Sequence, residues 1–363
     1  MSDVTNTTAP KQIALLFPGQ GSQAVGMGRE FFESYPAARE VFEEADDALG
    51  FPLSKLIFEG PEDDLKLTEN TQPAILTMSI AAWRVLEPEL KSRGFAPSFA
   101  AGHSLGEYSA HVAAGTFSFA DAVRTVRARG QFMQSAVPAG LGAMAAVLGL
   151  DAERINDICA SVSDELTQAP PEHPADPGEQ AEAVLGQVKD GDDVSPAQAA
   201  ARVSTVVAPA NLNSPNQTVI SGEKHAVEIA VERLKEAGAS RTVMLPVSAP
   251  FHCALMQPAQ DRLAGQLESF AFNDPALPVV ANVDARVVRR GAEARDALIR
   301  QVTGAVRWVE CIGLLRESGA THYIEVGPGK VLSGLNRQID RALATTNVED
   351  KASLEKTLAT LLA

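Results

Sequence analysis

Ser104 lies in Gly102-His103-Ser104-Leu105-Gly106, a GxSxG pentapeptide between a run of strand character, Phe99–Gly102, and a helical stretch, Glu107–Ala114. A nucleophilic serine requires that context. The turn is too tight for side chains beside the serine, and the helix that follows aims main-chain N–H groups at a developing oxyanion. The same pentapeptide also arises by chance in glycine-serine turns, and only the flanking strand and helix separate the two cases. A serine hydroxyl is a weak nucleophile at neutral pH and needs a base. Six histidines are available. His173 and His225 read as a loop residue and a helix-start surface residue, His103 adjoins the serine, His111 falls on an apolar helix face, and His322 precedes a strand. His252 follows Leu245–Phe251, a strand end broken by Pro246 and Pro250, where α/β enzymes present catalytic loops. A lone histidine is more often a hydrogen-bonded core residue than a base. Elimination of the other five narrows that margin without reversing it.

Two glycine turns follow strands elsewhere. Phe17-Pro18-Gly19-Gln20-Gly21-Ser22-Gln23 closes the first strand and allows its backbone to approach another loop closely. It lacks the Gly-Lys-Ser/Thr ending of a phosphate loop and the full GxGxxG of a dinucleotide site. Glu325-Val326-Gly327-Pro328-Gly329-Lys330 is a second such turn, and most of these are structural.

The elements that must position these residues alternate. A strand over Gln12–Phe17, helices over about 30–49, a long helix from Thr71 to Arg93 and the strand Phe99–Gly102 are α/β grammar. Ser118 is the N-cap expected for a helix carrying Arg124, Arg127 and Arg129. From about residue 140 the order becomes strand 142–149, helix 151–165, strands 203–210 and 217–221, helix 223–237 and strand 240–246. That is βαββαβ, the ferredoxin-like pattern. The larger domain then resumes with strands at Pro278–Val283 and Thr321–Val326. The expected division is a discontinuous large domain, 11–139 with 249–345, and an inserted small domain, 140–248. A Pro-rich, acidic excursion at 166–200 should form no packed core.

Composition sets the outer limits. At 363 residues the chain has room for about two domains of roughly 150 residues. With 45% hydrophobic residues it can fill their cores. A net charge of −15 repels phosphate backbones and anionic lipid, which argues against nucleic acid and membrane as partners. Three cysteines, Cys159, Cys253 and Cys311, offer neither a disulfide framework nor the CxxC spacing of a zinc site. The N-terminus lacks the pattern of a secretory leader, and no apolar stretch is long enough to span a bilayer. A cytoplasmic location is expected.

Taken together, FPGQGSQ at 17–23, TQPA at 71–74, GHSLGEYSA at 102–110, RG-FMQ at 129–134, NSP at 213–215, FHCALM at 251–256 and EVGPGKVLSGL at 325–335 resemble the malonyl-CoA:acyl carrier protein transacylase family. The motifs occur in the family's order from about Gln12 to Leu335, and the excursion at 166–200 is the main departure. The resemblance implies an α/β-hydrolase-like large domain with a ferredoxin-like small domain, and ping-pong acyl transfer from malonyl-CoA to acyl carrier protein without metal or other cofactor. It makes Ser104 the nucleophile, His252 its base, and the main-chain N–H groups of Gln20 and Leu105 the oxyanion hole. It makes the main-chain carbonyl of Gln301 the group that orients the base, and Arg129 the partner of the malonyl carboxylate. From sequence alone, Arg129 reads as a surface arginine of an amphipathic helix. A planar guanidinium does suit bidentate pairing with a carboxylate in a dry pocket. His103 and Phe251 are expected at the acyl pocket, where the Phe251 ring should favour malonyl over methylmalonyl. Lys330, Arg337, Arg286, Arg289 and Arg290 are candidates for docking an acidic carrier protein, although such charge runs are more often solvated faces. A serine hydrolase or thioesterase, the transferase subunit of a malonate decarboxylase and a catalytically silent scaffold are the competing readings. Outside the helix starts and the excursion, Asp residues are scarce between Ser104 and His252, where a hydrolase would place its acid, and this counts modestly against the first of them.

Overall fold

A computed structural model describes residues 11–168, 206–247 and 249–363. The chain divides into two compact units, Met1–Ala128 with Ser269–Leu298 and Glu310–Ala363, and Arg129–Glu268 with Ile299–Val309. Among the described residues the strands are β1 (Ile13–Phe17), β2 (Pro97–Gly102), β3 (Gly142–Leu148), β4 (Val207–Ser214), β5 (Gln217–Glu223), β6 (Arg241–Met244), β7 (Val279–Ala281), β8 (Arg286–Val288), β9 (His322–Val326) and β10 (Ala344–Val348).

The first unit is built on a sheet of order β10-β9-β1-β2-β7-β8. It is parallel except for β8, which runs against β7. Every residue of β1 is buried, as the unbroken apolar run Ile-Ala-Leu-Leu-Phe requires of a parallel strand covered on both faces. The helix Thr68–Ser92 is buried at every position from Thr71 to Trp83, the mark of a helix that is apolar all round. Strands β1 and β2 pair in register up to Phe17 opposite Gly102. The turns that follow them therefore leave the carboxyl edge of the sheet side by side, where open α/β sheets place their ligands.

The second unit carries an antiparallel sheet of order β4-β5-β3-β6. With the helices Ala152–Gln168 and Lys224–Glu236 between strands, this is the ferredoxin-like arrangement. Ile155 and Cys159 of one helix and Val227 and Val231 of the other share a core with Val147 and Ile220. The Glu223 side chain caps the second helix, accepting from the N–H groups of His225 and Ala226 at 3.0 and 2.9 Å.

Several expected boundaries move. The region 30–49 is two helices, Arg29–Ser34 and Pro36–Leu49, because Tyr35 precedes a proline and is held extended. The strand expected at 203–210 runs over Val207–Ser214, where bulges let its polar end keep pairing with β5. Residues 203–205, most of the 166–200 excursion and His173 lie outside the described residues. The helix expected at 151–165 continues to Gln168, into the start of that excursion. Ser118 does cap the helix Phe119–Ser135, accepting from the N–H of Asp121 at 3.1 Å. Strands β8 and β10 and the final helix Lys351–Leu362 had no counterpart among the expected elements. No helix of the described residues is long and apolar enough to cross a membrane.

Candidate active site

The turn after β2 is a strained elbow. Ser104 has φ 52°, in the left-handed region. For a residue with a side chain this costs about 1–3 kcal/mol and persists only where the surroundings over-determine it. Those surroundings are backbone. The His103 N–H donates to the Phe17 carbonyl at 3.0 Å. A Cβ on Gly106 would collide with that same carbonyl and come within 2.9 Å of the Pro18 oxygen. A Cβ on Gly19 would collide with the carbonyl oxygen of His103. The two glycine-bearing turns thus interlock, which brings the Gln20 backbone beside the elbow. Leu105 is the residue from which the helix Gly106–Ala113 starts, so its amide has no helical carbonyl one turn back to bond.

The elbow is further held by two residues that the sequence reading did not single out. Asn282, the residue after β7, accepts the Ser104 N–H on Oδ1 at 2.7 Å and donates from Nδ2 to the Gly102 carbonyl at 2.7 Å. Its own N–H donates to Oε2 of Glu107, fully buried in the first turn of the elbow helix, at 2.8 Å. A glutamate on the apolar side of a helix, three residues after the serine, was the one signal that could have pointed here.

The second unit holds the other candidates. His252 is 4% exposed and also adopts a left-handed conformation, φ 60°. Among the described residues only Ser104, His252 and Ala285 combine a side chain with positive φ, so two of the three sites of such strain are the two proposed reacting groups. The His252 Nδ1 lies 2.9 Å from the carbonyl oxygen of Gln301 and 3.2 Å from that of Gly304. Carbonyls only accept, so Nδ1 carries a proton, and in the neutral ring the lone pair then sits on Nε2, the form a general base needs. The segment that supplies these carbonyls is fixed to β4, with the Leu212 N–H donating to Val306 O at 2.9 Å and the Val306 N–H to Ala210 O at 2.8 Å.

Gln301 has a second task. Its side-chain Oε1 accepts from Nη2 of Arg129 at 3.1 Å, and both residues are buried, Arg129 to 2% exposure. Sequence alone reads Arg129 as a surface residue, and the structure corrects this. The helix Phe119–Ser135 presents Arg124 to solvent and Arg129 to the interior. This bond to a neutral amide orients the guanidinium. Phe251, at 9% exposure, immediately precedes the base.

The first unit thus gathers Gln20, His103, Ser104 and Leu105, and the second Arg129, Phe251, His252 and Gln301. Burial shifts two of the other histidines. Burial drives His111 down to about 3, and burial also lowers His322. Among the docking candidates, Lys330 is 2.9 Å from Glu349 and the Arg290 Nε donates to Glu293 at 2.7 Å, so both cations are already paired. Among the described residues no group of three or more His, Cys, Asp or Glu side chains could hold a metal ion.

Comparison with known proteins shows the family. Residues 14–169 match the acyl transferase domain family. The malonyl CoA-acyl carrier protein transacylase of Bacillus subtilis is 46% identical over 350 residues, covering 96% of this chain and 97% of that protein. The solved transacylase of the same description from Coxiella burnetii superposes with a TM-score of 0.83 at 38% identity, covering 98% of this chain and 99% of that one. A malonyl-transacylase solved in complex with a type II PKS acyl-carrier protein gives 0.81 at 42% identity, covering 96% of this chain and 100% of that one. Identity at this level over nearly the whole length means that the chain belongs to the malonyl CoA-acyl carrier protein transacylase family.

Proposed function

We propose that this chain transfers the malonyl group of malonyl-CoA to the phosphopantetheine thiol of acyl carrier protein through an ester on Ser104, supplying extender units for fatty acid synthesis in the cytoplasm. The observation that carries the reading is the double use of Gln301. Its main chain fixes the tautomer of one candidate catalytic group, His252, and its side chain orients Arg129, a buried cation suited to a substrate carboxylate.

In the first half-reaction the Ser104 hydroxyl gives its proton to Nε2 of His252 while Oγ attacks the thioester carbonyl. The N–H groups of Gln20 and Leu105 receive the oxyanion. The C–S bond then breaks, and the CoA sulfur takes the proton back from His252. In the second half the carrier's thiol gives its proton to His252, its sulfur attacks the ester, and Ser104 leaves with the proton. Arg129 holds the malonyl carboxylate throughout and His103 and Phe251 line the acyl group, so orientation is set before either attack.

Mass spectrometry of the intact protein and its peptides, after brief mixing with malonyl-CoA, tests the scheme. One malonyl adduct on the Ser104 peptide, discharged by acyl carrier protein, is the expected result. An adduct that decays without an acceptor would indicate a hydrolase, and no adduct at all a silent scaffold.

A further inference from the structure

We propose that Asn282 is the positioning residue of the nucleophile, a single amide that sets the direction of Ser104 Oγ by gripping both ends of the elbow. The inference rests on Ser104 being the acylated residue. Asn282 is fully buried and follows directly on β7, which pairs with β2 at Ala100 opposite Val279 and Ala101 opposite Val280. Its Oδ1 takes the Ser104 N–H and its Nδ2 gives to the Gly102 carbonyl, both at 2.7 Å. The amide therefore spans the turn from the last residue of the strand to the serine. Its backbone N–H is bound to Glu107, on the helix that follows. Strand end, turn and helix start are thus tied to the one residue that follows a neighbouring strand. An asparagine side chain presents a donor and an acceptor a fixed distance apart, whereas an aspartate of the same shape only accepts once ionised. Holding the Ser104 N–H holds the left-handed φ of that residue, and with it the direction of Cα–Cβ.

Full-length Asn282→Ala and Asn282→Asp distinguish positioning from mere support of the fold. Acylation of the Ser104 peptide is timed in a single turnover with malonyl-CoA and normalised to folded protein. In Asn282→Ala the rate should fall about 10- to 100-fold, the scale of a small misplacement of reacting atoms, with KM for malonyl-CoA within about twofold. In Asn282→Asp a protonated carboxyl can donate to Gly102 O while accepting from Ser104 N–H, and a carboxylate cannot. The ratio of variant to wild-type rate should therefore rise as pH falls, while the ratio for Asn282→Ala stays flat. A wild-type rate in folded Asn282→Ala, or a pH-independent ratio in Asn282→Asp, would overturn the inference. If Asn282→Ala does not fold, the pH dependence of Asn282→Asp decides alone. A wild-type adduct anywhere but on the Ser104 peptide would overturn the serine assignment itself, and this inference with it.

Discussion

Replacing Gln301 by Ala removes the side-chain oxygen that accepts from Arg129 at 3.1 Å but leaves the main-chain carbonyl that holds His252 at 2.9 Å. In the proposed scheme the substitution should therefore perturb recognition of the substrate carboxylate without touching the tautomer of His252. A hydrogen bond to a charged group contributes about 1.5–3 kcal/mol, and 1.36 kcal/mol is tenfold in rate, so kcat/KM for malonyl-CoA should fall about 10- to 150-fold. Acetyl-CoA has no carboxylate to orient, and its transfer should change less than about threefold, by the same reasoning about interactions made only with the missing group. Gln301→Glu is more severe for malonyl-CoA, because a carboxylate beside Arg129 takes the place of the substrate's own. Its loss should approach that of Arg129→Ala, about 2–5 kcal/mol for breaking a buried charge pair. Initial rates of acyl transfer to carrier protein with the two thioesters, across a pH series, provide the assay. Equal losses for malonyl-CoA and acetyl-CoA would show that the Gln301 side chain only fills space. A displaced pH profile would show that His252 had moved as well.

Three further outcomes are expected. Gly106→Ala drives a methyl group into the Phe17 and Pro18 carbonyls, so overpacking of about 1–3 kcal/mol should lower Tm by about 2–12 °C, and unchanged melting would refute the interlocked-turn account. His111 titrates at about 3 when folded against 6.5 in the open chain. Its contribution is fully present above pH 6.5 and is lost on acidification towards pH 3, at up to about 1.4 kcal/mol per pH unit. His111→Asn should flatten the acid limb of a stability-against-pH curve, and an unaltered slope would count against burial of the neutral ring. Phe251→Ala should narrow the preference for malonyl-CoA over methylmalonyl-CoA by about 1–3 kcal/mol in direct competition, and a wild type that shows no preference removes the idea.

Much of this was legible from local rules. Strand β1 announces itself as an unbroken apolar run, Ser118 as a cap, and the serine elbow by glycines that no side chain could replace. What stayed hidden depends on contacts remote in sequence. Arg124 and Arg129 look alike on one helix, and only the packed interior, with Gln301 at a separation of 172 residues, makes one of them a buried cation. Asn282 reaches Ser104 across 178 residues through the pairing of β7 with β2, and the short strand before it has no periodicity to read. Strand β10 was missed for a related reason. Its Ala-Thr-Thr-Asn-Val sequence is a half-exposed edge with little of the apolar character that marked β1.

The return of Ile299–Val309 to the second unit has a practical bearing on protein engineering. His252 and the Gln301 carbonyl that selects its tautomer stand 49 residues apart, and Ser269–Leu298, belonging to the other unit, intervenes. A cassette cut at residue 268 and grafted into a relative to alter acyl-group choice would bring His252 and Arg129 but leave Gln301, the partner of both, to the recipient. Such chimaeras should keep their native pairing only when the eleven-residue return segment Ile299–Val309 travels with the cassette, so the transplantable module is two pieces of chain.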